Sequence, residues 1–396
     1  MTSINPGRQA PWRRLALTCI AALLPLGAAF ADDGKIKIGF MLPYTGTYAG
    51  LGNAITNGFK LYVDEQGGKL AGRAVEYAVV DDESDPAKAT ENANKLAKRD
   101  HVDVMVGTVH SGVAMAMAKV ARDTNTLMID PDAGADELTG PLCAPNVFRS
   151  SFSNWQPAYG MGKALAAKGV KKACWVTWDY AAGKESGEGF RDGLRSGGAE
   201  LTQVLTLPFP ETNFQPILAQ LPGLGVDAVG SFFAGGGAVQ FVKDYAAAGL
   251  REKLPLCGSG FLTEGVLKPQ GAAAEGLQTA LHYGDGLNNP KNTAFRAAFQ
   301  QKTGRAADVY AVQGYDACQM LAIGLDATKG DTGAIKPFAA AILAAKIDSP
   351  RGAFTLSPSH NPVQTIYLRE AQGGENRVIG VAAEALADPG TGCKMA

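Results

Sequence analysis

The four histidines of the sequence, His101, His110, His282 and His360, are scattered, with no pair four residues apart that would set two imidazoles on one helical face for a metal. HExxH and GxSxG are absent, which removes the zinc-hydrolase helix and the nucleophile elbow. No GxxxxGKS/T phosphate loop occurs. Gly50-Leu51-Gly52 begins like a dinucleotide fingerprint, but Ile55 stands where the third glycine must let helix and strand approach. No CxxC suggests a zinc knuckle or redox pair, and no Ser/His/acid trio can be assembled from local spacing. The expectation is a chain that is not an enzyme and holds no metal or cofactor.

At 396 residues the chain has room for two domains or three. Its 46% hydrophobic and 19% charged residues exclude a disordered chain, and a net charge of −1 offers no field for nucleic acid. Arg8, Arg13 and Arg14 precede an apolar run from Leu15 to Phe30 that meets Ala29-Phe30-Ala31. This reads as a secretory signal peptide over residues 1–31, cut before Asp32. The run is too short for an anchor and carries Pro25 and Gly27; no later stretch is apolar enough to span a bilayer, so the mature chain is expected to be soluble and exported. Of the six cysteines, Cys19 falls in the leader. That leaves Cys143, Cys174, Cys257, Cys318 and Cys393, an odd set whose pairing stays open, with Cys174 and Cys257 in strand-like segments that suit buried thiols.

Strand and helix patterns alternate along the rest of the chain. Ile36, Ile38, Phe40 and Leu42 alternate before a helix near 49–66; Val75, Tyr77 and Val79 alternate before a helix that Pro86 opens. Short strands at 102–106 and 127–130 flank a small-residue helix at 111–123. The rhythm resumes from Trp155 to Ala248, residues 291–344 are mostly helical, and weaker strands follow at Phe354 and 364–370. Such alternation predicts an α/β fold with parallel sheets wound on both faces, as two similar series on either side of Ser150. In such folds ligands sit outside the carboxyl ends of the strands, so the residues just after each strand are the candidates.

These residues carry a resemblance. Lys37–Gly46 (KIGFMLPYTG), Asp81-Asp82 before Asp85-Pro86, Gly107–Ser111, Met128-Ile129-Asp130-Pro131 before Glu137-Leu138-Thr139, Trp178-Asp179-Tyr180 with Gly183, and Tyr315-Asp316-Ala317 keep the order and spacing of one family. The chain resembles the periplasmic solute-binding proteins of branched-chain amino acid type ABC transporters over essentially its whole mature length. The resemblance implies a type I periplasmic binding fold: two doubly wound, Rossmann-like lobes joined by a three-strand hinge. Lobe one is then 32–150 plus 281–355 and lobe two 151–280 plus 356–396. It also implies a monomer in the periplasm that closes over a small solute and hands it to permease subunits. A ligand-sensing domain on the same fold is the alternative to transport.

The resemblance assigns Ser111, with Gly112 beside it, to a ligand carboxylate at a helix N-terminus, where a hydroxyl and free N–H groups suit an anion. The next contact loop is Asp132-Ala133-Gly134. Amino-acid-binding relatives carry Thr where this chain has Gly134 and an acid near Gly260, both for the ligand ammonium. Leu51 and Ala182 stand where relatives have an aromatic and a tyrosine. The carboxylate half of the site is retained and the ammonium half is lost, and a buried ammonium without an anion is costly. Asp132 supplying that anion from the other side keeps branched-chain amino acids or amides as the alternative ligand. Phe233, Ala234 and Phe261 set rings and bare backbone on lobe two, with Phe232 assigned to the core because alternation sends only one of the pair to the cleft. Gly134, Ala182, Ala234 and Gly260 are expected to leave room for a ring, with Asp132 or His110 reaching a ring hydroxyl. Tyr44 and Tyr180, just after strands, are further candidates. Trp155, Tyr159, Tyr283 and Tyr315 read as packing, and Arg149 as an interlobe structural ion pair. The leading ligand is an aromatic carboxylate of benzoate or hydroxycinnamate type; segments Gly258–Thr263 and Leu281–Leu287 resemble members that serve aromatic-compound uptake.

Overall fold

The alternation that opens the mature chain becomes β1 (Ile36–Leu42), with Ile36, Ile38, Phe40 and Leu42 all buried. The computed structural model describes residues 34–395 together with Gly7, so the signal peptide expected over 1–31 lies outside the described residues, Gly7 apart. After β1 come α1 (Ala49–Glu65), β2 (Lys69–Leu70), β3 (Arg73–Asp81), α2 (Pro86–Asn94), β4 (Val104–Val106), α3 (Ser111–Thr124), β5 (Leu127–Asp130), α4 (Asp136–Thr139) and β6 (Val147–Arg149). Pro86 starts α2 because Asp85 caps it, its carboxylate accepting the Ala87 N–H at 2.9 Å. The strands form one sheet in the order β2-β3-β1-β4-β5-β6, parallel throughout except for the β2–β3 pair. Single helices between strands force crossovers, and crossovers make neighbours parallel.

The second series gives α5 (Trp155–Ala167), β7 (Lys172–Trp178), α6 (Ala181–Ser196), β8 (Glu200–Leu207), α7 (Gln215–Leu218), β9 (Ala228–Phe232), α8 (Gly235–Ala247), β10 (Leu256–Ser259), α9 (Leu267–Gln270) and β11 (Gln278–Leu281). The chain then runs through α10 (Pro290–Thr303), α11 (Val309–Thr328), α12 (Ile335–Ala344), β12 (Thr355–Leu356), β13 (Pro362–Gln372) and β14 (Glu375–Leu386). The second sheet has the order β12-β13-β11-β10-β9-β7-β8, with β14 added on β13. Helix α11 packs along α1 beside the first sheet, where Tyr315 meets Tyr62 edge-on at 5.0 Å and donates to Glu65 at 2.6 Å.

Two details depart from expectation. Strand β14 is one of the longest, yet it carries little periodic signal because it lies outermost on β13, with Ile379 and Val381 exposed. Thr355 and Leu356 pair with β13, so residue 355 belongs to the second sheet rather than the first lobe.

The chain passes between the sheets three times: after β6, after β11 and after α12. Arg351, fully buried in the third passage, donates to the carbonyls of Ser150 (2.5 Å) and Ser151 (3.1 Å) in the first and pairs with Asp316 of α11 at 3.3 Å. A disulfide between Cys143 and Cys393, 250 residues apart, ties the loop after α4 to the segment after β14. Cys174, Cys257 and Cys318 are buried free thiols, and burial pushes Cys174 up to about 11. Among the described residues, no helix is long and apolar enough to cross a membrane.

Candidate functional site

The loops at the carboxyl ends of the two sheets face each other and meet through aromatic rings. From the first lobe, His110 stacks on Tyr180 of the second at 4.7 Å, and the Tyr48 hydroxyl lies 3.0 Å from that of Tyr180. Phe209, just after β8, packs against His110, Tyr48 and Tyr180 at 4.9, 5.5 and 5.3 Å. Phe261, after β10, lies 4.6 Å from Phe152 of the first passage and 6.2 Å from Tyr310 at the start of α11. Phe232 joins the two groups, 6.2 Å from Tyr180 and 6.0 Å from Phe261. These offset and edge-on contacts build an apolar, ring-shaped environment between the lobes.

Polar groups gather beside these rings. Asp132 Oδ1, His282 Nδ1, the Tyr310 hydroxyl and Gln313 Oε1 are buried without a partner among the described residues, with Gln313 Nε2 3.4 Å from His282 Nε2 and the His282 ring 5.6 Å from that of Phe152. Buried polar atoms are nearly always satisfied, so a group of orphans between two lobes marks a place that a ligand completes.

At the N-terminus of α3 the cap is His110, not Ser111: its Nδ1 accepts the Gly112 N–H at 3.1 Å, so that donor is already spent. Burial holds His110 down at about 4, which keeps the ring neutral and able to accept. Ser111 is buried, and its Oγ accepts from Asn154 Nδ2 at 3.2 Å. In the next loop Asp130 Oδ1 accepts the N–H groups of Asp132 (3.2 Å) and Ala133 (2.9 Å), and the Ala133 N–H also reaches the Thr108 carbonyl. Burial raises Asp130 to about 7; burial and then the Asp130 charge push Asp132 well above the usual carboxylate range. Among the described residues Arg149 makes no ion pair: it donates to the carbonyls of Ala133 and Ala135, to Thr139 and, across the passages, to Asn361. It is a structural residue, as expected, but through neutral acceptors.

Several expected roles change. Phe233 is fully buried inside the second lobe against Trp178, Phe214 and Phe241, because the chain turns under α8 once β9 ends; Phe232 is the ring that joins the interlobe cluster, against Tyr180 and Phe261. Gly134 does not open space, since a Cβ there would lie 2.3 Å from Asn154 Oδ1 and 2.6 Å from Phe152 Cε2. Its missing side chain seats those two residues. Gly260 likewise accommodates Leu281 and Arg369, whose atoms lie 2.4 and 2.5 Å from a Cβ there. Tyr44 spends its hydroxyl on Thr56 of α1 at 2.8 Å and stands with Asp81 and Asp82. Ala182 and Ala234 are buried at the starts of α6 and α8. Leu51 lines an open cleft of about 750 Å3 together with Tyr310, Glu264 and Gly235. Sequence reasoning missed Tyr48, Phe152, Asn154, Phe209, Tyr310 and Gln313. Tyr48, Phe152 and Phe209 had a usable signal, as aromatics shortly after a strand.

The lobes cap one another's helices. Glu264 of the second lobe accepts the Val309 N–H at the start of α11 at 2.8 Å. Glu185 of α6 accepts the Asp136 N–H at the start of α4 at 3.0 Å. In return, Thr47 Oγ1 of the first lobe accepts the Gly237 N–H of α8 at 3.3 Å. Gly235 permits this approach: its φ is +57° and a Cβ would lie 2.2 Å from the Thr47 carbonyl. Helix N-termini are positive and rich in unsatisfied donors, so each bond favours the lobes being together.

Among known proteins, a family model described as periplasmic binding protein matches residues 35–376. A Leu/Ile/Val-binding protein homolog of Brucella melitensis is 29% identical over 366 residues, covering 90% of this chain and 93% of that protein. A solute-binding protein of an ABC transporter from R. palustris, crystallised with benzoate, is 50% identical with a TM-score of 0.88, covering 91% of this chain and all of that one. Another, from Rhodopseudomonas palustris BisB5 in complex with 3,4-dihydroxybenzoic acid, is 30% identical with a TM-score of 0.84, covering 90% and 99%. Two sheets facing across three passages, with the match running through both, leave one conclusion: the chain belongs to the periplasmic binding protein family, the solute-capturing components of ABC transporters.

Proposed function

We propose that this protein is the exported, non-catalytic capture component of an importer for a small aromatic carboxylate, of benzoate or hydroxycinnamate type. The observation that carries the reading is the convergence of rings from both lobes, Tyr48 and His110 against Tyr180, Phe209, Phe232 and Phe261, on a cluster of unpartnered buried polar atoms. A flat apolar body suits such walls, and its carboxylate suits Ser111 and the donors of Tyr310 and Gln313. Ligand contacts divided between the lobes favour the closed form, whose surface then docks on permease subunits. The two aromatic acids in the related structures support this reading.

A second reading keeps a branched-chain amino acid. It is favoured by the buried Asp132 carboxyl, which could pair with an ammonium, and by the Leu/Ile/Val-binding relatives. Titration calorimetry against benzoate, 4-hydroxybenzoate, coumarate and leucine decides between them. Tight binding of leucine with no response to the aromatic acids defeats the proposal.

A further inference from the structure

The charge surroundings of Asp132 set a condition on any anionic ligand. Asp132 is 4% exposed, and its Oδ1 has no hydrogen-bond partner. Its own loop contributes Asp130, a second buried acid; α11 contributes the Gln313 amide, the Tyr310 phenol and Asp308, and the Tyr48 and Tyr180 phenols close in from the two lobes. No lysine, arginine or histidine pairs with Asp132 among the described residues. Arg149 of β6, which hydrogen-bonds this loop, is committed to Ala133, Ala135, Thr139 and Asn361. His110 and His282 are both held neutral by burial, the second with arginine charges adding to the effect. Every group facing Asp132 is therefore neutral or acidic.

A carboxylate ligand brings a negative charge and no cation of its own. Two anions side by side in a closed, water-poor site cannot both stay ionised without a large cost, so one of the pair is held protonated. Resting on the aromatic-acid reading above, we propose that Asp132 is the specificity-determining residue of the site and meets the ligand as a neutral acid. At the alkaline end of the range, where Asp132 of the free protein is ionised, capture then takes up one proton from solvent. The step is balanced: an O–H bond forms on Asp132 from a solvent proton, no bond of the ligand breaks, and the new hydroxyl donates to the ligand carboxylate as a charge-assisted hydrogen bond. A zwitterionic amino acid would behave oppositely, since its ammonium would hold Asp132 ionised and no proton would be taken up.

The test is calorimetric titration of the whole mature protein with benzoate and with 4-hydroxybenzoate in phosphate and in Tris, from pH 5.5 to 9.5. The difference in heat between the buffers counts protons. The expected result is uptake approaching one proton per ligand at the upper end, with Kd there rising about tenfold per pH unit. Asp132→Asn should abolish the uptake, flatten the pH profile and bind the aromatic acid more tightly than wild type at the alkaline end of the range. Binding of aromatic acids by wild type with no proton uptake and a flat profile overturns this inference alone. Persistence of the uptake in Asp132→Asn overturns it too, by assigning the proton elsewhere. Heat from leucine only, lost in Asp132→Asn, overturns the inference together with the aromatic-acid reading. Should the variant fail to fold, the wild-type proton count still decides.

Discussion

Glu264 is the residue whose replacement tests whether the interlobe helix caps govern ligand affinity. Its Oε2 pairs with Arg369 at 2.5 Å, both side chains fully buried, while its Oε1 accepts the Val309 N–H at 2.8 Å. Arg369 lies on β13 and Glu264 follows β10, so the ion pair is internal to the second lobe and survives opening. The bond to Val309 crosses to α11 and exists only when the lobes are together. Glu264→Ala therefore has two separable effects. Leaving Arg369 buried without its counter-charge costs about 3–5 kcal/mol of folding stability. Losing a hydrogen bond to a charged acceptor costs the closed form about 1.5–3 kcal/mol. At about 1.4 kcal/mol per tenfold, the second effect weakens ligand binding roughly 10- to 100-fold. Pairing the change with Arg369→Met separates them, since removing the guanidinium lifts the penalty of a buried unpaired charge but does not restore the cap. The assays are titration calorimetry for Kd, urea unfolding for stability, and small-angle scattering for the opening of the unliganded form. A Glu264→Ala/Arg369→Met protein that folds and binds ligand like wild type would refute the reasoning.

Three further outcomes are expected. Phe232→Ala should weaken aromatic-acid binding with a modest stability loss, whereas Phe233→Ala should cost about 3–5 kcal/mol of stability and touch affinity less; the reverse order, read by calorimetry and urea unfolding, would put the wrong ring at the site. Glu185, raised to about 7 chiefly by burial, Asp130, raised likewise to about 7, and Asp136, raised well above the usual carboxylate range by burial and the Glu185 charge, bind protons more tightly folded than unfolded. Stability from these groups is complete below about pH 4 and is lost as pH rises through about 7, so their contribution to the melting temperature falls across that window, and Glu185→Gln should make the fall shallower in a scanning-calorimetry series. Removing the Cys143–Cys393 bridge by double serine substitution frees a loop spanning 250 residues, a loss of about 5 kcal/mol on chain-entropy grounds, read from the denaturant midpoint. A midpoint that does not move would show that the tertiary packing around Thr391 and Gly140 holds that segment without it.

The alternation of apolar residues determined β1, β3, α2 and the parallel winding of both sheets, because periodicity reports how a single segment must bury one face, and that requirement is local. It also placed the candidate residues correctly at the ends of strands, since connectivity alone puts those loops at one edge of each sheet. What it did not carry is which atom meets which. Phe232 and Phe233 are indistinguishable by type, and only the turn into α8 decides that the first joins the ring cluster of Tyr180 and Phe261. Gly134 and Gly260 read as open space in the chain; the fold fills that space with Phe152, Asn154, Leu281 and Arg369.

The remaining features depend on partners far along the chain: Glu264 and Val309 are 45 residues apart, Tyr48 and Tyr180 132, and the disulfide cysteines 250. The charge state of Asp132 belongs with them, since it is set by burial and by neighbours gathered from the β5 loop, α11 and both lobes. The linear chain determined the scaffold and which loops gather at its facing edges. The tertiary structure decided the chemistry of that edge, because desolvation and packing are properties of groups brought together in space.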